Sequence, residues 1–135
     1  MAVIHQRITI IQIRKPNTQN LNDELQWLGN SLGLFNLRDT NRSCFRVFLE
    51  LLKASKKHDE LSSDDLAEKL ELSRGTVIHH INKLLEAGIV INQGKKYYLR
   101  EERLQNLIED IRKDLTRACE DMMEAAKKID EILTM

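Results

Sequence analysis

Residues 66–90 read LAEKLELSRGTVIHHINKLLEAGIV, and this stretch decides the fold. Leu66, Ala67 and Leu70 share one face of a short helix. Ser62-Ser63-Asp64-Asp65 opens that helix, with Ser62 and Asp65 at capping-box spacing. Glu71-Leu72-Ser73 is a tight break, and the Ser73 hydroxyl can cap the helix that follows. That second helix is expected over 74–87, ended by Gly88. At 100° per residue, Val77, Ile81, Leu84 and Leu85 cluster on one side and should pack inward. Gly75, Thr76, His79, Asn82, Lys83 and Glu86 lie opposite and should face out, with Ile78 and His80 on the boundary.

Downstream, IVIN, Gln93-Gly94-Lys95 and KYYLR form two β-type runs around a glycine turn, the pattern of a hairpin. Tyr97 and Tyr98 alternate across its second strand, so one should be core and the other exposed. Upstream, a helix is expected over 41–55, capped by Asp39 or Thr40, because Phe45, Phe48, Leu49 and Leu52 recur at helical steps. Residues 21–32 form an earlier helix, with Asn20 as cap, a Leu21/Leu25/Leu28/Leu32 stripe and Gly33 at its end. Trp27 sits beside that stripe and reads as a packing residue. Residues 3–13, rich in Val, Ile and Thr, are apolar on both faces and predict a strand ended by Pro16.

From Glu101 onward there is neither Gly nor Pro. Leu104, Ile108, Ile111, Leu115, Ala118, Met122, Ala125, Ile129 and Ile132 follow alternating steps of four and three. That heptad seam is too narrow to be covered by its own helix and needs a partner helix. It makes residues 101–135 a coiled-coil-like dimerisation helix, and leaves parallel and antiparallel pairing both open.

Composition supports a mainly helical chain. Of 135 residues, 5 are Gly, 1 is Pro and 4% are aromatic. No apolar run approaches the roughly 20 residues of a membrane span, and the N-terminus lacks a signal-peptide pattern. The two cysteines, Cys44 and Cys119, cannot make a disulfide framework or a four-cysteine zinc site, and read as small packing residues. A cytoplasmic protein with reduced thiols is expected. No phosphate loop, nucleophile elbow or His/carboxylate metal motif occurs, so neither an enzyme nor a cofactor is implied. His79 and His80 point about 100° apart on a helix and cannot chelate one metal together.

The 21 basic side chains equal the 21 acidic ones, so net charge gives no argument for nucleic acid. The local order does. Helix, sharp turn, helix and hairpin is the arrangement that sets a second helix into the DNA major groove, with the hairpin as a wing. Thr, His and Asn can bond base edges, and Gly75 would let the backbone come close.

The residues Ser73, Val77, His79-His80-Ile81, Leu84, Glu86 and Ala87-Gly88-Ile89-Val90 resemble the winged helix-turn-helix of the ArsR/MarR-like transcription regulators. The likeness spans residues 45–100. It implies base reading from the Arg74–His79 stretch, DNA contact by Lys95 and Lys96, and a homodimer joined by terminal helices. The chain departs from the metal-sensing members. Its helix before the recognition helix has no Cys-x-Cys, and its C-terminal helix has no His, so no metal site is implied.

The expected architecture is therefore mainly α with a small β component. An N-terminal strand and helix fill residues 1–40, a winged helix-turn-helix 41–100, and the long helix 101–135. The expected partners are double-stranded DNA and a second copy of the chain, with no membrane. The DNA-binding residues would be Arg74, Gly75, Thr76, His79, Asn82, Lys83, Lys95 and Lys96. Operator, effector and the sign of regulation are not written in the sequence. The competing reading is a winged-helix protein-interaction or architectural chromatin module without base readout, because fold alone does not fix function.

Overall fold

The structure, a computed structural model, describes residues 5–17, 20–35 and 42–135. The chain divides into two compact units, Met1–Glu102 and Arg103–Met135.

The first unit holds four helices among the described residues: α1 (Leu21–Ser31), α2 (Ser43–Lys57), α3 (Ser63–Leu70) and α4 (Arg74–Ala87). Three short strands complete it, β1 (Leu61–Ser62), β2 (Val90–Gln93) and β3 (Lys96–Leu99), in the antiparallel order β1-β3-β2. Its core is the apolar face of α2, with Val47, Phe48 and Leu51, set against Leu66 of α3 and Val77, Ile81 and Leu84 of α4, all fully buried. Truncating one of the Leu, Ile or Phe side chains to Ala costs about 2–5 kcal/mol in a site this closed. The inward face expected for the 74–87 helix is thus the inward face observed, except that Leu85 is half-buried.

The helix ends obey their local chemistry. The Asn20 side chain accepts from the amides of Asn22 and Asp23. The Ser62 hydroxyl accepts from the Asp65 amide at 3.1 Å, and the Asp65 carboxylate accepts from the Ser62 amide at 2.9 Å, completing the capping box. Gly88 ends α4 at φ 78°, in the left-handed region. The caps expected for α2, Asp39 and Thr40, lie outside the described residues, as do residues 3, 4 and 41; α2 runs two residues further than the expected end at 55.

Two expectations need correction. Among the described residues, 5–13 join no sheet. Two of their amides instead go to helix ends: the Arg7 amide donates to the Glu86 carbonyl at 3.0 Å and the Ile11 amide to the Ser31 carbonyl at 2.8 Å. The last carbonyls of a helix have no partner inside it, so an extended segment can satisfy itself there without a neighbouring strand. The Tyr97/Tyr98 alternation also fails. Both rings are half-buried, lining one cleft of about 300 Å³ with Leu51 and Ala54 of α2. Of the cysteines, Cys44 is buried as expected for a packing residue, whereas Cys119 is exposed, as is every residue from 119 to 135.

The second unit is one helix, α5 (Leu104–Leu133), about 45 Å long at 1.5 Å per residue. All nine seam positions fall on it. Ile108, Leu115, Met122, Ala125, Ile129 and Ile132 are exposed, Leu104 and Ala118 half-exposed, and Ile111 buried. The helix carries two i,i+3 pairs at 2.7 Å, Arg112 with Glu109 on the surface and Arg117 with the buried Asp114. No helix among the described residues is long and apolar enough to cross a membrane.

Candidate nucleic-acid interface

The turn between α3 and α4 is set by three contacts. Glu71 takes a left-handed backbone, φ 55°, which reverses the chain directly after α3. The Ser73 hydroxyl accepts from the Thr76 amide and starts α4. The Arg46 guanidinium, from α2, donates to the Leu70 carbonyl at 2.8 Å. That third interaction satisfies an orphan carbonyl at the end of α3 and ties the turn to the core. Nothing in the local sequence pointed to Arg46, because its partner is a backbone oxygen 24 residues away.

Along α4, Arg74, Gly75, His79 and Asn82 are exposed, and Thr76 and Lys83 are half-exposed. Gly75, Thr76, His79, Asn82 and Lys83 therefore share one face of α4, whereas Arg74 is exposed as the first residue of the helix and lies off that face. A methyl group built on Gly75 would meet nothing within 4 Å. No packing among the described residues requires glycine there, while glycine disfavours a helix relative to alanine, by roughly 0.5–1 kcal/mol in a helix interior and less in a first turn such as this. The Thr76 hydroxyl accepts a hydrogen bond from Ser73 at 2.8 Å and keeps its own proton to donate.

The wing carries the other two residues. Gln93 pairs with Lys96, so Gly94 and Lys95 form a two-residue turn. Gly94 has φ 59°, the positive value such hairpin turns demand at their first position. Lys95 is exposed at the tip, and Lys96 opens β3. Strand β1, too short for any periodicity to reveal, pairs with β3 and brings the start of α3 beside the wing.

This neighbourhood was not legible in the sequence. The Lys96 ammonium lies 3.6 Å from the Asp65 carboxylate, and the Arg74 guanidinium lies 3.4 Å from Asp64. The Asp65 carboxyl is held below the usual carboxylate range, first by the hydrogen bond from the Ser62 amide and then by its hydroxyl, with Lys96 adding a smaller part. Two of the basic residues thus face carboxylates at the first turn of α3. The far end of α4 is engaged by the N-terminal segment. The Gln6 side-chain amide donates to the Ala87 carbonyl, and His5 and Arg7 lie 3.4 and 4.0 Å from the Glu86 carboxylate. Among the described residues, no group of three or more His, Cys, Asp or Glu side chains is placed to hold a metal ion.

A helix-turn-helix with an exposed polar second helix and a basic-tipped wing is the architecture of a winged DNA-binding domain. Residues 49–92 match the family model described as "Bacterial regulatory protein, arsR family". That segment is a helix-turn-helix domain of ArsR type, a type found in DNA-binding transcription regulators. No curated protein matches the chain.

Proposed function

We propose that the protein is a dimeric transcription regulator that binds double-stranded DNA in a sequence-specific manner, acts in the cytoplasm and has no enzymatic activity. The exposed Gly75 carries the reading: the chain keeps a residue that weakens α4 at a point where nothing of its own needs the space. A DNA backbone or base edge would use that space. Arg74, Thr76, His79 and Asn82 are assigned to base edges, and Lys83, Lys95 and Lys96 to phosphates. Residues 41–100 are the DNA-binding part and 101–135 the dimerising part. A homodimer is supported by the exposed apolar seam of α5, where Met122, Ile129 and Ile132 are 62%, 55% and 69% exposed in a single chain.

A second reading is favoured by one observation. Arg74 and Lys96 already face Asp64 and Asp65, and the net charge is zero. A winged-helix module that binds protein would not need those cations free. Affinity selection from random duplex DNA separates the two readings. A regulator enriches one sequence pattern, with two half-sites about 34–36 Å apart or a multiple of it; a protein-binding module enriches none.

A further inference from the structure

The dimer proposed above can join its α5 helices in two directions, and the side chains on and beside the seam distinguish them. In heptad terms Leu115, Met122 and Ile129 occupy a positions, and Ala118, Ala125 and Ile132 occupy d. A parallel pair in register sets each layer against itself. Ala118 would meet its own copy and Ala125 its own, leaving thin layers on either side of a Met122 pair. An antiparallel pair sets a against d. Met122 then meets Ala125 of the second copy, Ile129 meets Ala118, and Leu115 meets Ile132, so large residues fill the space beside small ones.

The flanks agree. Asp121 and Lys128 hold g positions, while Cys119 and Ala126 hold e positions. In a parallel pair g faces e, so Asp121 would face Ala126 and no ion pair would form. In the antiparallel register just given, g faces g, and Asp121 meets Lys128 twice, once on each side of the two-fold axis. The other flank then closes with Cys119 against Ala126, both small. Lys128 also lies 3.5 Å from Glu124 of its own helix, but both side chains are about 70% exposed and such a surface pair is weak. Large exposed apolar side chains line this span from Leu115 to Leu133.

Resting on the dimer reading, we propose that α5 pairs antiparallel with α5 of a second copy, centred between Met123 and Glu124, and that reciprocal Asp121–Lys128 ion pairs set the direction. The test uses the full chain carrying Cys119→Ser, with sedimentation of each variant. Oxidising a mixture of Ala118→Cys and Ile129→Cys chains should give a disulfide-linked heterodimer. Ile129→Cys alone should not cross-link, because its two copies lie about 16 Å apart along the axis at 1.5 Å per residue. Separately, Asp121→Lys or Lys128→Asp should each weaken the dimer roughly tenfold, and mixing the two variants should restore it as a heterodimer. Efficient cross-linking of Ile129→Cys alone, or charge reversals that leave dimerisation unchanged, would overturn the antiparallel register while leaving the dimer standing. A parent chain that sediments as a monomer at every concentration would overturn both.

Discussion

The Nε atom of Arg74, at the first turn of α4, lies 3.4 Å from the carboxylate of Asp64, at the first turn of α3. Both side chains are more than 70% exposed, so the pair adds little to stability. Its weight falls on binding. On the DNA-binding reading, Asp64 would set a negative charge beside the approaching DNA and would hold Arg74 until DNA displaced it. Asp64→Asn should raise affinity for random duplex DNA roughly two- to tenfold at low salt, with the gain shrinking as salt screens it. Fluorescence anisotropy with labelled random duplex measures this; unchanged binding at low salt would remove Asp64 from the interface.

Gly75 gives a prediction in which stability and binding move in opposite directions. Gly75→Ala should stabilise the fold by up to about 0.5–1 kcal/mol, because alanine suits the helix better and its methyl group meets nothing. Binding to a selected operator should fall at least tenfold, since on the DNA-binding reading the added carbon would stand where DNA approaches. Urea denaturation and anisotropy on the same protein check both halves. A variant that gains stability and keeps operator affinity would show that α4 does not approach DNA at its first turn.

Most of the helix-turn-helix was legible before the structure, and the reason is local. The Ser62/Asp65 capping box, the Ser73 cap and the Gly88 stop each involve residues within a few positions, so sequence spacing is the geometry. The elements that escaped depend on distant partners. Strand β1 is two residues long and exists because β3 lies beside it. The 5–13 segment has strand-like residues, yet helix-end carbonyls rather than a neighbouring strand take the amides of Arg7 and Ile11. On the candidate face, residue type and periodicity gave the outward set on α4. The Asp64 and Asp65 pairings that qualify Arg74 and Lys96 arise only from tertiary placement.

The capping box links the fold to pH. The Asp65 carboxyl is held low in the folded chain, so its contribution to stability is present above the ordinary carboxylate range and is lost as pH falls through the depressed folded value. Ser62→Ala removes the hydroxyl that caps α3, one of the two Ser62 groups that lower Asp65. It should cost about 1 kcal/mol at neutral pH. The gap between parent and variant should narrow on acidification, and the Asp65 carboxyl should titrate closer to its ordinary value in the variant. NMR titration of the Asp65 carboxyl carbon, with denaturation at several pH values, reads both. A gap that widens in acid would contradict the assignment.

Arg46 supports the turn from behind. Arg46→Ala should cost about 1.5–3 kcal/mol, the range for a hydrogen bond to a charged donor, because the Leu70 carbonyl loses its partner. Faster amide exchange at Leu72 and Ser73 would accompany the destabilisation. Unchanged exchange there would place the effect of the substitution elsewhere.

The most direct test of the DNA-binding reading is the salt dependence of binding to an operator selected from random duplex DNA, for the parent and for Lys95→Ala/Lys96→Ala. A lysine that neutralises a phosphate releases a counterion, so the logarithm of affinity should fall linearly with the logarithm of salt concentration. The double variant should weaken all sequences alike and flatten that slope by about one unit for each phosphate it no longer neutralises. A chain from which no operator can be selected, or one whose slope is the same with and without the two lysines, would contradict the account.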